Sequence, residues 1–266
     1  MEILSDWRGR ITFSLFFVVV IALLVGALYI GDLARFQQTT AAEESRTAMQ
    51  GIIEPGQLDQ ALARYPWNRF LKLIAAETKS ANETNDAIDK LSNEIEPPRL
   101  AKNVNLGTAG RDELEAIERD VKTAETNSAS FMPRYVALFK TEREKLQSYA
   151  RALNADKDTI NRFLDNVDKR QAEATDLVAK MLSARVEFYR AYDECVGLLI
   201  REFGSYKVTN GQFIFALQPT ANRYNAAARA MTAALERNAE LKEERNKIAL
   251  SQLKRWQQFV EALEAP

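Results

Sequence analysis

Residues 177–203, LVAKMLSARVEFYRAYDECVGLLIREF, decide the fold class. Leu177, Met181, Phe188, Tyr192, Cys195, Leu199 and Phe203 recur at steps of three, four and seven residues. That is the stripe of a 3.6-residue helix and not the alternation of a strand. Upstream the stripe continues through Ile160, Phe163, Val167 and Ala174. The spacing therefore predicts one helix from about Asp156 to Phe203, ended by Gly204.

The same period marks the segments on either side. Leu114, Ile117, Val121, Ala124, Phe131, Tyr135, Leu138, Leu146, Tyr149 and Leu153 predict a helix from about Arg111 to Leu153. Pro133 lies inside it, so a kink or break is expected near Ser130. A last helix, from about Gln212 to Leu263, carries Leu217, Tyr224, Ala228, Met231, Leu235, Ile248, Trp256, Phe259 and Leu263, with Pro219 near its start. Toward the N-terminus, Glu54-Pro55-Gly56 marks a turn and Gln57 to Arg64 a short helix. Pro66 suits the first turn of a further helix bearing Phe70, Ile74, Ala81, Ile88, Leu91 and Ile95. Its middle, Glu77 to Asn85, is polar and predicts incomplete burial. Glu96-Pro97-Pro98 stops that helix, and Arg99 to Gly110 reads as a loop. Short connections at Asn154 and at Gly204 to Gly211 make the long helices antiparallel neighbours. Tyr206 to Phe215 admits two readings: a tight hairpin turning at Asn210-Gly211, or an irregular link packed on the bundle end. The packed link is the favoured reading.

One segment is of another kind. Residues 11–30, ITFSLFFVVVIALLVGALYI, hold no charge. As a helix they cover roughly 30 Å, the thickness of a bilayer's hydrocarbon core. Arg8 and Arg10 precede the run and Arg35 and Arg46 follow it. Proximity favours a cytoplasmic N-terminus. A cleaved signal peptide is the rival reading, with Val25 and Ala27 at the small-residue positions. Against it, the apolar run continues through Leu28, Tyr29 and Ile30, and without a cysteine after it a lipoprotein is not expected. Ala22 and Gly26 form a small-xxx-small pair suited to packing on another membrane helix. The expected organisation is a short cytoplasmic N-terminus (1–10), a transmembrane helix (11–31), a juxtamembrane helical stalk (32–55) and an extracytoplasmic bundle domain (56–266). The fold class is then all-α: one N-terminal transmembrane helix followed by an elongated antiparallel bundle of three to four long helices.

Composition narrows the chemistry. The 266 residues carry a net charge of −1 with 27% charged residues, so no basic excess points to nucleic acid. Histidine is absent, which removes imidazole bases, ligands and pH switches. The lone Cys195 falls on an apolar stripe and reads as a buried small hydrophobe; a reactive thiol would need a cationic neighbour. Glu43-Glu44, Glu243-Glu244 and Asp193-Glu194 are ordinary on solvated helix faces. Gly107 and Gly110 carry no phosphate signature, and no metal or cofactor motif is present. Arg185 lies beside the stripe, either as a snorkelling side chain, the commoner arrangement, or in a buried pair with a carboxylate. Two aromatic groups remain as contact candidates. Tyr206, Phe213, Phe215 and Tyr224 gather where two long helices meet, as an apolar plug or as a partner-binding surface. Tyr65, Trp67 and Phe70 lie close in sequence to the apolar run and suit a membrane interface.

At Val208-Thr209-Asn210-Gly211-Gln212-Phe213, followed by Tyr224-Asn225, the chain resembles a family of proteobacterial helical cell-envelope proteins. The likeness covers about twenty residues and implies a bacterial envelope location, with the domain in the periplasm; it implies no activity. The chain departs from lipid-anchored members in lacking their N-terminal cysteine. The function expected is non-enzymatic: an inner-membrane-anchored accessory, scaffold or assembly subunit working through contacts with another envelope protein or with itself, without cofactor or nucleic acid. The alternative is an extracytoplasmic bundle that senses a small ligand.

Overall fold

The structure is a computed structural model that describes residues 55–97, 104–152 and 157–264. The apolar run, with Ala22, Gly26 and the expected stalk, lies outside the described residues. Five helices and one hairpin form: α1 (Pro55–Arg64), α2 (Arg69–Glu94), α3 (Arg111–Ala152), α4 (Lys157–Arg201), β1 (Lys207–Thr209), β2 (Gln212–Ile214) and α5 (Gln218–Glu264). Among the described residues the fold is all-α apart from that hairpin. Among the described residues no helix is long and apolar enough to cross a membrane.

Two compact units divide the chain. The first holds Lys90–Arg134 and Leu177–Glu243. Its core joins Leu114, Ile117, Val121 and Ala124 of α3 to Phe188, Tyr189, Tyr192, Val196 and Leu199 of α4 and Ala234 of α5. Each large apolar side chain buried here contributes about 1.5–3 kcal/mol. The helices run antiparallel. On α3 and α4, Glu125 meets Arg190 while Glu118 lies beside Gly197. On α4 and α5, Glu187 meets Arg237 while Glu194 meets Arg223.

The C-terminal end of α2 is held from both neighbouring helices. Last-turn carbonyls have no partner within a helix, so other groups must supply donors. From α3, Asn127 Nδ2 donates to the Glu94 carbonyl at 2.8 Å and Arg134 forks onto the Glu94 carboxylate. From α4, the Tyr189 hydroxyl donates to the Ile95 carbonyl at 2.7 Å, and Arg185 Nη2 lies 3.5 Å from Glu96 Oε1. Two guanidinium groups at this terminus also complement the negative end of the helix dipole. Arg185 is only 4% exposed and lies 5.9 Å from the Tyr189 ring centre. It is thus the buried pair and not the snorkelling side chain.

The second unit takes residues from Pro55 to Asp89, Tyr135–Asp176, and Glu244 onward among those described. Leu146 and Ala150 of α3 pack there on Ile160, Leu164 and Val167 of α4. Arg143 Nε pairs with Asp168 at 2.6 Å and Lys145 with Glu83 at 2.8 Å. Tyr135 meets Phe139 edge to face at 4.8 Å.

Two local expectations need correction. First, α3 is continuous through Pro133, so the break, though not the kink, is ruled out. Beyond the proline its buried positions are Tyr135, Phe139, Glu142, Leu146 and Ala150, while Tyr149 is exposed. The four-residue step from 135 to 139 moves the inward face one position past Leu138. Second, α2 starts three residues later than Pro66. Asn68 caps it, its Oδ1 accepting the Leu71 amide at 3.1 Å, which satisfies a first-turn donor. The polar middle of α2 is incompletely buried, as its composition predicts: Lys79, Asn82 and Glu83 are exposed, while Ser80, Thr84 and Asn85 lie in the interior.

Candidate docking surface

The link between α4 and α5 is the hairpin, and the irregular reading of 206–215 falls. Thr209 pairs with Gln212, Val208 with Phe213 and Lys207 with Ile214. The two loop residues, Asn210 at φ 52° and Gly211 at φ 72°, both adopt the left-handed conformation. A two-residue loop of that kind matches the right-handed twist of its strands, and Asn-Gly tolerates it best. The expected packing of this link holds, since Tyr206, Phe213 and Phe215 lie against the first unit's core, but its backbone is the hairpin.

Alternation along the strands separates two faces. Val208, Phe213 and Phe215 share one, Lys207, Thr209, Gln212 and Ile214 the other. The first face carries the aromatic plug. Phe213 and Phe215 each lie 5.2 Å from the Tyr224 ring, and Tyr206 lies 5.4 Å from Phe213 and 5.9 Å from Phe215. Phe203 reaches Tyr206 at 6.4 Å. All four sequence candidates, Tyr206, Phe213, Phe215 and Tyr224, are therefore brought together. They are partly buried and pack on the first unit's core. Burial pushes the Tyr206 and Tyr224 hydroxyls above their ordinary range, so both stay neutral donors. Beneath the hairpin, Val208 Cγ1 stands 3.2 Å from where a Cβ on Gly107 would lie, so a side chain there would push Val208 back by a few tenths of an ångström.

What the plug leaves to solvent is aliphatic as much as aromatic. Leu217 is 60% exposed, Ile214 53%, Phe203 41% and Val208 40%. These four residues within fifteen positions surround the plug; the helical period placed Phe203 and Leu217 on buried stripes, and none of the four was expected as a contact residue. The signal available was the alternation of the strands, which becomes readable only once the hairpin is accepted. A stretch without any Asp or Glu runs from Phe203 to Leu235.

Cys195 is buried, and its thiol is pushed up to about 12, by burial first and by Glu194 second. At neutral pH it is a protonated hydrophobe, not a nucleophile. Asp193 is half-buried with its carboxyl shifted upward by burial, while Lys122 acts in the opposite direction. Among the described residues no group of three or more potential ligands could hold a metal ion. In the second unit the Ser80 hydroxyl and the Asn85 carbonyl oxygen are buried without a hydrogen-bond partner.

Of the other aromatic group, Tyr65 is half-buried, Trp67 is 87% exposed, and the Phe70 side chain lies outside what is described. The structure puts Tyr65 and Trp67 on the corner between α1 and α2. No protein-family model, curated protein or solved structure matches the chain.

Proposed function

We propose that this chain is a non-enzymatic, single-pass membrane-anchored helical protein of the bacterial envelope, serving as an accessory, scaffold or assembly subunit. Residues 11–30 anchor it, the N-terminus is cytoplasmic, and the helical domain lies in the periplasm. The hairpin end of the first unit takes the protein partner. The observation that carries this reading is the group of exposed apolar side chains, Phe203, Val208, Ile214 and Leu217, mounted on a packed aromatic base. Apolar patches held on a rigid support mark interaction sites, and their central residues dominate affinity.

Photo-crosslinking in intact membranes tests it. A crosslinking residue at Ile214 or Leu217 is expected to trap one discrete protein, and the same probe at Glu240, exposed on α5, is not. Ile214→Asp with Leu217→Asp is expected to abolish comigration with that protein in mild detergent. Adducts no stronger from 214 and 217 than from 240, in a protein that migrates as a monomer, would refute the reading.

A second reading, a bundle that senses a small ligand, is favoured by the orphan Ser80 and Asn85 oxygens in the second unit. An unpaired buried polar group costs about 1–3 kcal/mol, which a polar ligand could recover. A metabolite that raises the melting temperature of the native protein, and fails to do so after Asn85→Leu, would support it.

A further inference from the structure

The corner between α1 and α2 is built to hold one side chain out. Tyr65 N donates to the Ala61 carbonyl as α1 ends, and Asn68 N donates back to the Tyr65 carbonyl at 3.0 Å. That closes a four-residue turn with Pro66 in its second position, where a ring-fixed φ is favoured. Asn68, 1% exposed, then caps α2 through the Leu71 amide. Between these anchored ends Trp67 projects into solvent, the most exposed large apolar side chain among the described residues. Lys72 Nζ sits 5.5 Å from its ring centre.

The surrounding charge is one-sided. Residues 60–76 contain Arg64, Arg69 and Lys72 and no Asp or Glu, in a chain whose overall balance is −1. An indole with a polar N–H at one edge, flanked by Tyr, Arg and Lys, is the composition that settles at the headgroup level of a bilayer. Basic side chains there are attracted by anionic lipids. The tether permits it: residues 31–54 cover roughly 36 Å as a helix and about 80 Å extended.

We propose that the Tyr65–Asn68 corner rests on the anionic headgroup layer of the bilayer, with Trp67 as its contact side chain. The proposal rests on the anchor reading of residues 11–30 for its tether. Trp67 enters the headgroup region ring first while Arg64 and Lys72 meet lipid phosphates. The second unit is thereby held against the membrane at this corner and does not swing freely from the anchor.

Native fluorescence of the full chain, reconstituted in phosphatidylcholine vesicles with about 30% phosphatidylglycerol, tests this. In a Trp7→Phe, Trp256→Phe background only Trp67 emits. Its emission is expected to move to shorter wavelength, and lipids brominated near the headgroup should quench it more than lipids brominated near the chain ends. Arg64→Gln should lower the ratio of contacting to free corner about fivefold, as should each basic charge removed near an anionic surface. Emission unchanged from water and unquenched by either lipid overturns the proposal. So does Trp67 that is shielded from aqueous quenchers yet untouched by brominated lipid, since a protein would then cover it. The Trp67→Phe, Trp256→Phe protein reports separately through Trp7. Quenched Trp7 with unquenched Trp67 leaves the anchor standing and rejects the corner. Quenched Trp67 with unquenched Trp7 supports the corner's lipid contact and rejects the anchor.

Discussion

Tyr189→Phe is the sharpest test of how α2 is held. The hydroxyl donates to the Ile95 carbonyl at 2.7 Å with both groups in the interior. Phenylalanine preserves the ring, its packing on Phe188 and its face toward Arg185, so no cavity opens. What remains is a carbonyl deprived of its donor. The lost bond is worth about 1 kcal/mol net, and an orphaned buried acceptor raises that to about 1–3 kcal/mol. In urea the midpoint should fall with an unchanged slope. The pH dependence adds a second signature. Burial pushes the Tyr189 hydroxyl from its ordinary 10 up to about 12. A raised pKa means the folded state favours the protonated phenol. Its contribution is complete below pH 10 and is lost as pH rises from 10 toward 12. Across that window the native protein should lose about 1.4 kcal/mol per pH unit relative to the variant. Urea unfolding of both proteins well below and within the window reads both effects. A difference below about 0.3 kcal/mol at neutral pH, less than any buried hydrogen bond should cost, would refute the reasoning. So would a difference that does not shrink between pH 10 and 12.

Other outcomes follow from single features. Arg134→Ala should cost under about 1 kcal/mol in the same urea assay despite its forked pairing with Glu94, because both partners are about half exposed and screened. Pro133→Ala should raise the urea midpoint by the equivalent of about 1–3 kcal/mol, since it restores a donor to the Ala129 carbonyl inside α3; a lowered midpoint would mean the proline is needed for packing. Gly211→Ala places a Cβ on a left-handed residue at a cost of about 1–2 kcal/mol and should speed amide exchange in Lys207–Ile214 while leaving α3 and α4 protected. Cys195 should react with an aromatic disulfide reagent at neutral pH only when the first unit opens, and rapidly in denaturant; fast labelling of the native protein would contradict its burial.

Helix ends were the most legible part of the sequence, because their causes are local. Arg111, the last turn of α4 and its Gly204 stop, and the C-terminus of α5 fall within a few residues of where period and breakers placed them. Errors arose where tertiary contacts override local preference. Asn68 was overlooked as a cap because Pro66 is itself a good helix starter. Pro133 interrupts one hydrogen bond, yet α3 is packed on both sides of it by Phe131 and Tyr135, which keeps the helix continuous. The polar middle of α2 is incompletely buried as expected, but composition alone does not tell which of its side chains turn inward: Ser80, Thr84 and Asn85 do, Lys79, Asn82 and Glu83 do not. For the docking surface, the four aromatic residues could be grouped from sequence, since they cluster around a turn. Which apolar residues would remain uncovered could not, because Ile214 and Phe215 are adjacent and only the pleat of β2 sends them to opposite faces.

The grip on the end of α2 also fixes an order of events in time. Its first partners, Asn127 and Arg134, come from α3, with Arg134 forty residues beyond Glu94; its last, Tyr189, lies ninety-four residues beyond Ile95. As the chain is made from its N-terminus, the Glu94 carbonyl finds its donor once α3 is complete, but the Ile95 carbonyl must wait while most of α4 is synthesised. A nascent chain stopped before Arg185 therefore leaves the Ile95 carbonyl and the Glu96 carboxylate without their partners from α4, and this end of α2 stays open to chaperones and proteases throughout that interval. A stalled or truncated product of this protein is thus marked for removal by its own unfinished clamp.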